Sequence, residues 1–292
     1  MNWQCPGRGM KRDCPGWGMK RQCPGRGMKR HHPGRRMGRI RPGRGMQRLA
    51  LAALAMLAAA PARAVDEIQV YTGEIAAPGE WSLLQHLNYG LRARQGRDYQ
   101  GALPNRGTLN GTPELAYGVT PAYEIGLYLP FAARDDRFYA GGFKLRSLLV
   151  TPDAAERSVF YGLNTELSWA PPRFSRSAWN LEFRPILGIH RGRWELATNP
   201  ILGLGIGGHA ATAFLPANRI SYAVRADLGF GVETYSDLGS PGRFPSAHKQ
   251  AHQVFAVTDF RLGVVDVNFG LGRGLTGASD RWAVKTIFGF SF

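Results

Sequence analysis

Cysteine is missing from residues 65–292, because Cys5, Cys14 and Cys23 all lie in the first 45 residues. A disulfide-stapled fold is therefore excluded for that body. There is no run of about 18 apolar residues, which excludes a helical membrane span. Lysine is scarce as well, with only Lys144, Lys249 and Lys285 after residue 65. Acid is scarce at the other end of the chain. Residues 1–45 carry 13 basic side chains and a single acid, Asp13, and so supply +12 of the formal net charge of +16. Residues 65–292 hold 22 basic and 20 acidic residues. The basic balance is thus local and gives no ground for a nucleic-acid partner.

The first 45 residues repeat every nine positions, from Cys5, Cys14, Cys23, His32 and Arg41. Each unit carries Pro and Gly and has no apolar face to stack on its neighbour. A cationic tail for phosphates or anionic lipid, a Cys3His metal set and translated repeat DNA upstream of the true start are the available readings. Zinc favours tightly spaced ligand pairs, which are lacking here, so no metal site is expected. An in-frame Met in every unit and a 27-nucleotide period favour a misassigned start, with 1–45 disordered. From Met46 the chain reads MQRLALAALAMLAAAPARA. Arg48, an apolar stretch over 49–60 and the Ala62-Arg63-Ala64 cleavage site make 46–64 a signal peptide. Residues 65–79 then form a periplasmic N-terminal segment or fold back as a plug.

From Glu80 the apolar period is two. Trp81, Leu83, Leu87, Tyr89 and Leu91 alternate with polar or small residues, as do Val159, Tyr161, Leu163, Thr165, Leu167 and Trp169. Such alternation predicts strands with one apolar face. Twelve runs are found, near 80–93, 112–120, 122–133, 141–151, 157–169, 177–190, 193–205, 212–223, 227–237, 250–261, 263–272 and 281–292; ten or fourteen are the neighbouring even counts. Long connections (94–111, 134–140, 170–176, 206–211, 238–249, 273–280) alternate with short ones. An all-β, closed, antiparallel up-and-down transmembrane β-barrel over 80–292 predicts that asymmetry. A soluble sandwich or lipocalin-like barrel shows the same period. Twelve strands, however, enclose more volume than one row of side chains fills. Trp81, Trp169, Trp179, Trp194 and Trp282 also stand at strand ends, where an aromatic girdle meets a membrane interface. The last strand ends Phe288, Phe290, Phe292, a lipid-facing row whose aromatic terminus resembles the signal read by the bacterial barrel assembly machinery.

The polar row is expected to face the lumen. It carries Glu114, Glu124, Lys144, Arg146, Glu166, Glu182, Arg184, Glu195, Arg219, Asp227, Glu233, Asp259, Arg261, Asp266 and Lys285. Glu182/Arg184 and Asp259/Arg261 sit two apart and are expected to pair. Rings of one sign would make a selectivity filter; mixed signs favour a salt-bridged ladder, with a thin water path compatible with either. Hydrolysis would need a serine, a histidine base and an orienting group. The exported chain offers His86, His190, His209, His248 and His252, with His248 and His252 in a loop near Ser246. Two loop histidines beside a serine are ordinary loop polarity, so no catalytic residue and no cofactor is expected.

The stretches 104–131 (PNRGTLNGTPELAYGVTPAYEIGLYLPF), 154–175, 180–202 and 267–292 (VNFGLGRGLTGASDRWAVKTIFGFSF) resemble uncharacterised proteobacterial outer-membrane proteins. They are similar to the outer-membrane protein family of the MetA phenol-degradation pathway. The resemblance covers nearly all of 65–292 and none of 1–45. It implies a β-barrel and passage of small molecules, hydrophobic ones included, and brings no site residues. The expected function is a passive outer-membrane channel, with outer-membrane lipid and the assembly machinery as partners and the solute open. A sealed structural or surface-interaction barrel is the alternative, and an outer-membrane lipid hydrolase a third.

Overall fold

The computed structural model describes residues 67–207 and 211–292. The nine-residue repeats, the signal segment 46–64 and His209 lie outside the described residues. Twelve antiparallel strands close on themselves. They are β1 (Trp81–Arg92), β2 (Leu109–Thr120), β3 (Tyr123–Tyr128 and Phe131–Arg134), β4 (Arg137–Ala140 and Phe143–Val150), β5 (Val159–Trp169) and β6 (Trp179–Arg191). Then follow β7 (Trp194–Asn199 and Leu202–Ile206), β8 (Thr212–Phe214 and Ala217–Arg225), β9 (Leu228–Asp237), β10 (Ala251–Leu262), β11 (Val265–Gly274) and β12 (Trp282–Ser291). Each pairs with its sequence neighbours, and β1 pairs with β12 from Ser82↔Ser291 to Arg92↔Trp282, so no edge is left.

Four strands are interrupted where the chain lacks a donor or a side chain: at Pro130 in β3, at Gly141-Gly142 in β4, at Pro200 in β7 and at Pro216 in β8. Proline contributes no N–H to a ladder, and glycine adds no packing. The wall stays closed through the breaks, because Leu129 N–H donates to the Pro113 carbonyl (3.0 Å) and Leu215 N–H to the Ile201 carbonyl (2.8 Å).

The alternation has its expected physical result. Leu115, Ile125, Leu127, Leu145, Leu187, Val232 and Phe269 are exposed on the outer face. An apolar surface of this extent is one that hydrocarbon covers, not water. Two aromatic belts border it. Trp81 lies tilted against Tyr117 and Trp194 against Tyr222, both at 4.9 Å, at the short-turn end. Phe143 sits between Trp169 and Trp179 at the long-loop end, and Trp282 lies under Arg273. The eleven residues of β5, tilted as barrel strands are, span roughly 25–30 Å between the belts. Phe288, Phe290 and Phe292 face outward as a row, and the backbones of Phe292 and Trp81 exchange two hydrogen bonds that close the last seam.

Two connections differ from the sequence expectation. Residues 134–140 are not a long loop. Arg134 pairs with Arg137, and Asp135 and Asp136 make a two-residue hairpin with φ 49° and 56°. Two successive positive φ values form the turn whose twist suits a hairpin, and Asp tolerates them better than most residues. The 152–156 connection, expected short, runs from 151 to 158 and contains a 3-10 turn at Ala154–Glu156.

Inside, large aromatic rings lie flat over glycines of the adjacent strand. A Cβ on Gly188 would collide with the Phe160 ring, and one on Gly272 with the Phe255 ring. Gly188→Ala is expected to destabilise the folded barrel by about 1–3 kcal/mol. Gly229→Ala, whose Cβ would meet nothing nearer than 3.5 Å, is expected to be close to neutral. Equal urea midpoints for the two variants in vesicles would contradict this packing.

Candidate functional site

The site is the lumen, and what occupies it is the chain's own N-terminal segment. Residues 67–76 run inside the wall as a plug, and 77–79 stand exposed at its short-turn rim. A backbone threaded through a narrow lumen must find partners for its polar groups. The wall supplies them. The Asn199 side chain takes both backbone groups of Tyr71: Tyr71 N–H donates to Oδ1 (2.7 Å), and Nδ2 donates to the Tyr71 carbonyl (3.1 Å). Lys285 Nζ donates to the Ile68 carbonyl (3.1 Å) and Arg184 to the Gln69 carbonyl (3.2 Å). Lys144 pairs with Glu67 at 2.9 Å. Lower down, Ala76 N–H donates to Glu124 (2.6 Å), and Gly79 N–H to the Gly118 carbonyl (2.8 Å). Gly118 is needed there, because a Cβ would strike the carbonyls of Ala76 and Ala77.

Side chains of the plug pack on both sides of the lumen. Val70 and Tyr71 join a buried apolar cluster with Leu148, Phe160, Ile186 and Ala197, and Ile68 joins Phe255, Val257 and Ala283. The interior is thus part core and part polar ladder.

The ladder falls into three groups. In the first, Arg146 sits between Glu114 (2.6 Å) and Glu124, with its guanidinium over the rings of Tyr71 and Tyr128. His86 meets Glu114 at 3.2 Å, and the Tyr71 and Tyr128 hydroxyls share a hydrogen bond of 2.7 Å. In the second, Arg184 pairs with Glu182 at 2.8 Å, and Lys144 stands 3.9 Å from Glu166. In the third, Arg219 gathers Glu195 (3.1 Å), Glu233 (2.6 Å) and Asp259, while Lys285 shares Glu233 and the Tyr235 hydroxyl donates to it (2.5 Å).

The expected Asp259/Arg261 pair does not form. Arg261 pairs instead with Asp266 across β10 and β11 at 2.6 Å, and Asp227 with Arg225 at 3.0 Å. The side chains of Asp227, Arg261 and Asp266 are 55, 61 and 62% exposed. They keep the inward phase of the alternation but stand on the short-turn rim, past the end of the wall, and not in the lumen. Removing them and adding Glu67 and Glu74 from the plug leaves nine carboxylates to five cations in the inward row and plug together. The charged row read from the sequence left out His86, Tyr128, Asn164 and Asn199 of the wall and Tyr71 of the plug, all buried. Only phase on the polar face marked the four wall residues, and nothing marked Tyr71.

Water reaches the lumen from both ends. Beside the lower part of the plug, Asp259 remains 38% exposed and Glu195 20%. Above it, a cavity of about 310 Å³ opens at the long-loop end, floored by Glu67, Ile68 and Gln69 and walled by Asn88, Lys144, Glu182 and Gln253. The 93–108 loop reaches over it: Leu103 N–H donates to the Arg173 carbonyl (3.0 Å), and Arg176 donates to the Asp98 carbonyl (3.1 Å). Burial beneath this loop pushes the Tyr99 phenol up, opposed by Arg176 over its ring at 5.1 Å.

For hydrolysis the geometry offers little. Ser246 Oγ lies 3.4 Å from His248 Nε2 on an exposed 3-10 turn. A closer pair, Ser236 Oγ and His252 Nδ1 at 2.9 Å, stands on the neighbouring strands β9 and β10. Among the described residues no carboxylate or amide hydrogen-bonds the other nitrogen of His252. No group of three or more His, Cys, Asp or Glu side chains placed to hold a metal ion occurs among them either.

No family model and no curated protein matches this chain. Solved structures do. The crystal structure of the COG4313 outer membrane channel from Pseudomonas putida F1 superposes with a TM-score of 0.54 at 10% identity, covering 77% of this chain and 100% of that one. The translocator domain of autotransporter NalP from Neisseria meningitidis gives 0.41 at 10% identity, over 85% and 95%. LpxR from Salmonella typhimurium gives 0.38 at 10% identity, over 72% and 99%. The fold of residues 81–291 is that of an outer-membrane β-barrel, closed by twelve antiparallel strands.

Proposed function

We propose that the protein is an outer-membrane barrel serving as a narrow passive channel for small solutes, hydrophobic ones included. The supporting observation is a polar lumen exposed at both ends and interrupted by one short segment of the same chain, held by a few hydrogen bonds, an ion pair and two apolar clusters. Solute enters the upper cavity, passes the constriction around Ile68 and Tyr71, and leaves along the Arg219 cluster. Charged rings of mixed sign with an acidic surplus lower the barrier for cations more than for anions. The resemblance to the MetA-pathway outer-membrane proteins agrees with small-molecule passage. Vesicles containing the folded protein are expected to swell in small uncharged sugars at a rate falling steeply with solute size. A rate equal to that of protein-free vesicles would overturn the channel reading.

The plug also favours the second reading, a sealed barrel, since it fills the middle of the lumen; equal swelling rates would install it. For the hydrolase reading, the Ser236–His252 pair sets the test. No fatty acid release from ester-linked phospholipid is expected of the wild type. Release that Ser236→Ala abolishes would overturn this account.

A further inference from the structure

Charge is not shared equally between the two ends of the barrel. At the short-turn end, Arg157, Arg191, Arg193, Arg225 and Arg261 are matched by Glu80, Asp153, Glu156, Asp227 and Asp266. Along the long loops and the strand ends beneath them, basic residues outnumber acids by more than two to one. The acids there are largely withdrawn. Asp280 is buried, accepting from Arg94 N–H (2.9 Å), and Asp98 pairs with Arg94. Asp135 and Asp136 are the exposed acids of this end among the described residues.

Part of the surplus lies on the outside of the barrel wall. Trp282 opens β12 in the outward row it shares with Phe288 and Phe290. Its cross-strand partners are arginines on both sides, Arg273 on β11 and Arg92 on β1. Arg273 is two residues beyond Leu271 and four beyond Phe269, both outward and exposed, and its guanidinium lies 5.3 Å from the Trp282 ring centre. Arg281 precedes Trp282, is exposed, and donates its backbone N–H to the Arg92 carbonyl at 2.9 Å. No ion pair or hydrogen bond engages the three guanidiniums among the described residues. Arg273 and Arg92 flank Trp282 on the neighbouring strands and Arg281 leads into it, so three exposed guanidiniums around one ring would repel one another unless an anion sat between them.

We propose that Arg92, Arg273 and Arg281 form a clasp for the phosphate of an anionic lipid in the outer leaflet, with Trp282 as its floor. The chemistry favours a lipid over a free ion. Planar guanidiniums pair phosphate oxygens in forked geometry. The ring of Trp282 belongs at the depth of lipid headgroups. Directly below, Leu91, Tyr89, Phe269 and Leu271 present the apolar wall that acyl chains would follow. The long loops, at the end opposite both chain termini of the barrel, put the clasp on the external side. A glycolipid bearing phosphates on a glucosamine disaccharide fits both the charge and the depth. This inference rests on outer-membrane placement and not on the channel reading.

The test uses the protein purified from membranes in detergent and native mass spectrometry. The probes are bis-phosphoryl lipid A, fully dephosphorylated lipid A and inorganic phosphate. Wild type is expected to retain the bis-phosphoryl form about tenfold more tightly than the Arg92→Gln/Arg273→Gln/Arg281→Gln variant. The Arg157→Gln/Arg191→Gln/Arg193→Gln variant, altered at the opposite end, is expected to behave as wild type. Heat-modifiable gel mobility reports folding; if the triple variant fails it, Arg273→Gln alone is expected to weaken retention about threefold. Equal retention by the Arg92 set and wild type, equal retention of dephosphorylated lipid, or displacement by millimolar phosphate would each overturn the clasp. A barrel that folds into vesicles but shows any of these keeps its membrane placement, so the two failures are distinguishable.

Discussion

Deleting residues 67–77 is expected to raise single-channel conductance several-fold while leaving the barrel folded. The wall does not need the plug for its hydrogen bonds, since all twelve strands pair with each other around the full circle. What the plug supplies is volume and a few partners. Without it, Ile68 and Val70 leave their apolar clusters, and Lys285, Arg184 and Asn199 lose their contacts with the plug backbone. Water takes up those contacts in an opened lumen, and Glu233 and Glu182 still balance Lys285 and Arg184. The cost is a modest loss of stability; the gain is a wider aqueous path where Tyr71 and Tyr128 now meet. Planar-bilayer recording of the deleted and intact proteins checks this. An unchanged conductance would mean that the ladder, and not the plug, sets the constriction.

Arg146→Met is expected to cost about 3–5 kcal/mol of folding stability, because breaking a buried ion pair leaves its partners charged and unpaired. Here there are two partners: Glu114 and Glu124 are both within reach of one guanidinium, and all three side chains are 3% exposed or less. Met fills the stem's volume but satisfies neither carboxylate. Adding Glu114→Gln and Glu124→Gln is expected to recover most of the loss, since the uncompensated charge then disappears. Urea unfolding in vesicles of the single and triple variants reads both. A single variant within 1 kcal/mol of wild type would show that water already screens this cluster.

How much of this was legible from residues alone depends on range. The strands were, because alternation such as Val159-Tyr161-Leu163 is local and one face of a barrel must be apolar. The break points were partly so: Pro130, Pro200 and Pro216 lie within runs whose period continues past them. The Asp135-Asp136 hairpin was not, for lack of the Gly that marks such turns; its two residues read as loop polarity. The inward row was legible as a row, but the partners within it were not. Arg219 reaches Glu195, Glu233 and Asp259 on three other strands, pairings set by register and not by spacing along the chain. The same register carries Arg261 away from Asp259 to Asp266. The plug was hardest to see. Ile68, Val70 and Tyr71 are too few to define a period, and only the lumen's own gaps give them a place.

The measurement that tests the central claim most directly is the single-channel conductance of the intact protein in a planar bilayer, with the heat-modified gel band as proof of folding. Small discrete steps are predicted, with a reversal potential in a salt gradient that favours cations, in keeping with nine carboxylates against five cations in the inward row and plug. Silence from folded protein, or a reversal potential favouring anions, would contradict a narrow, acidic, open path past the plug.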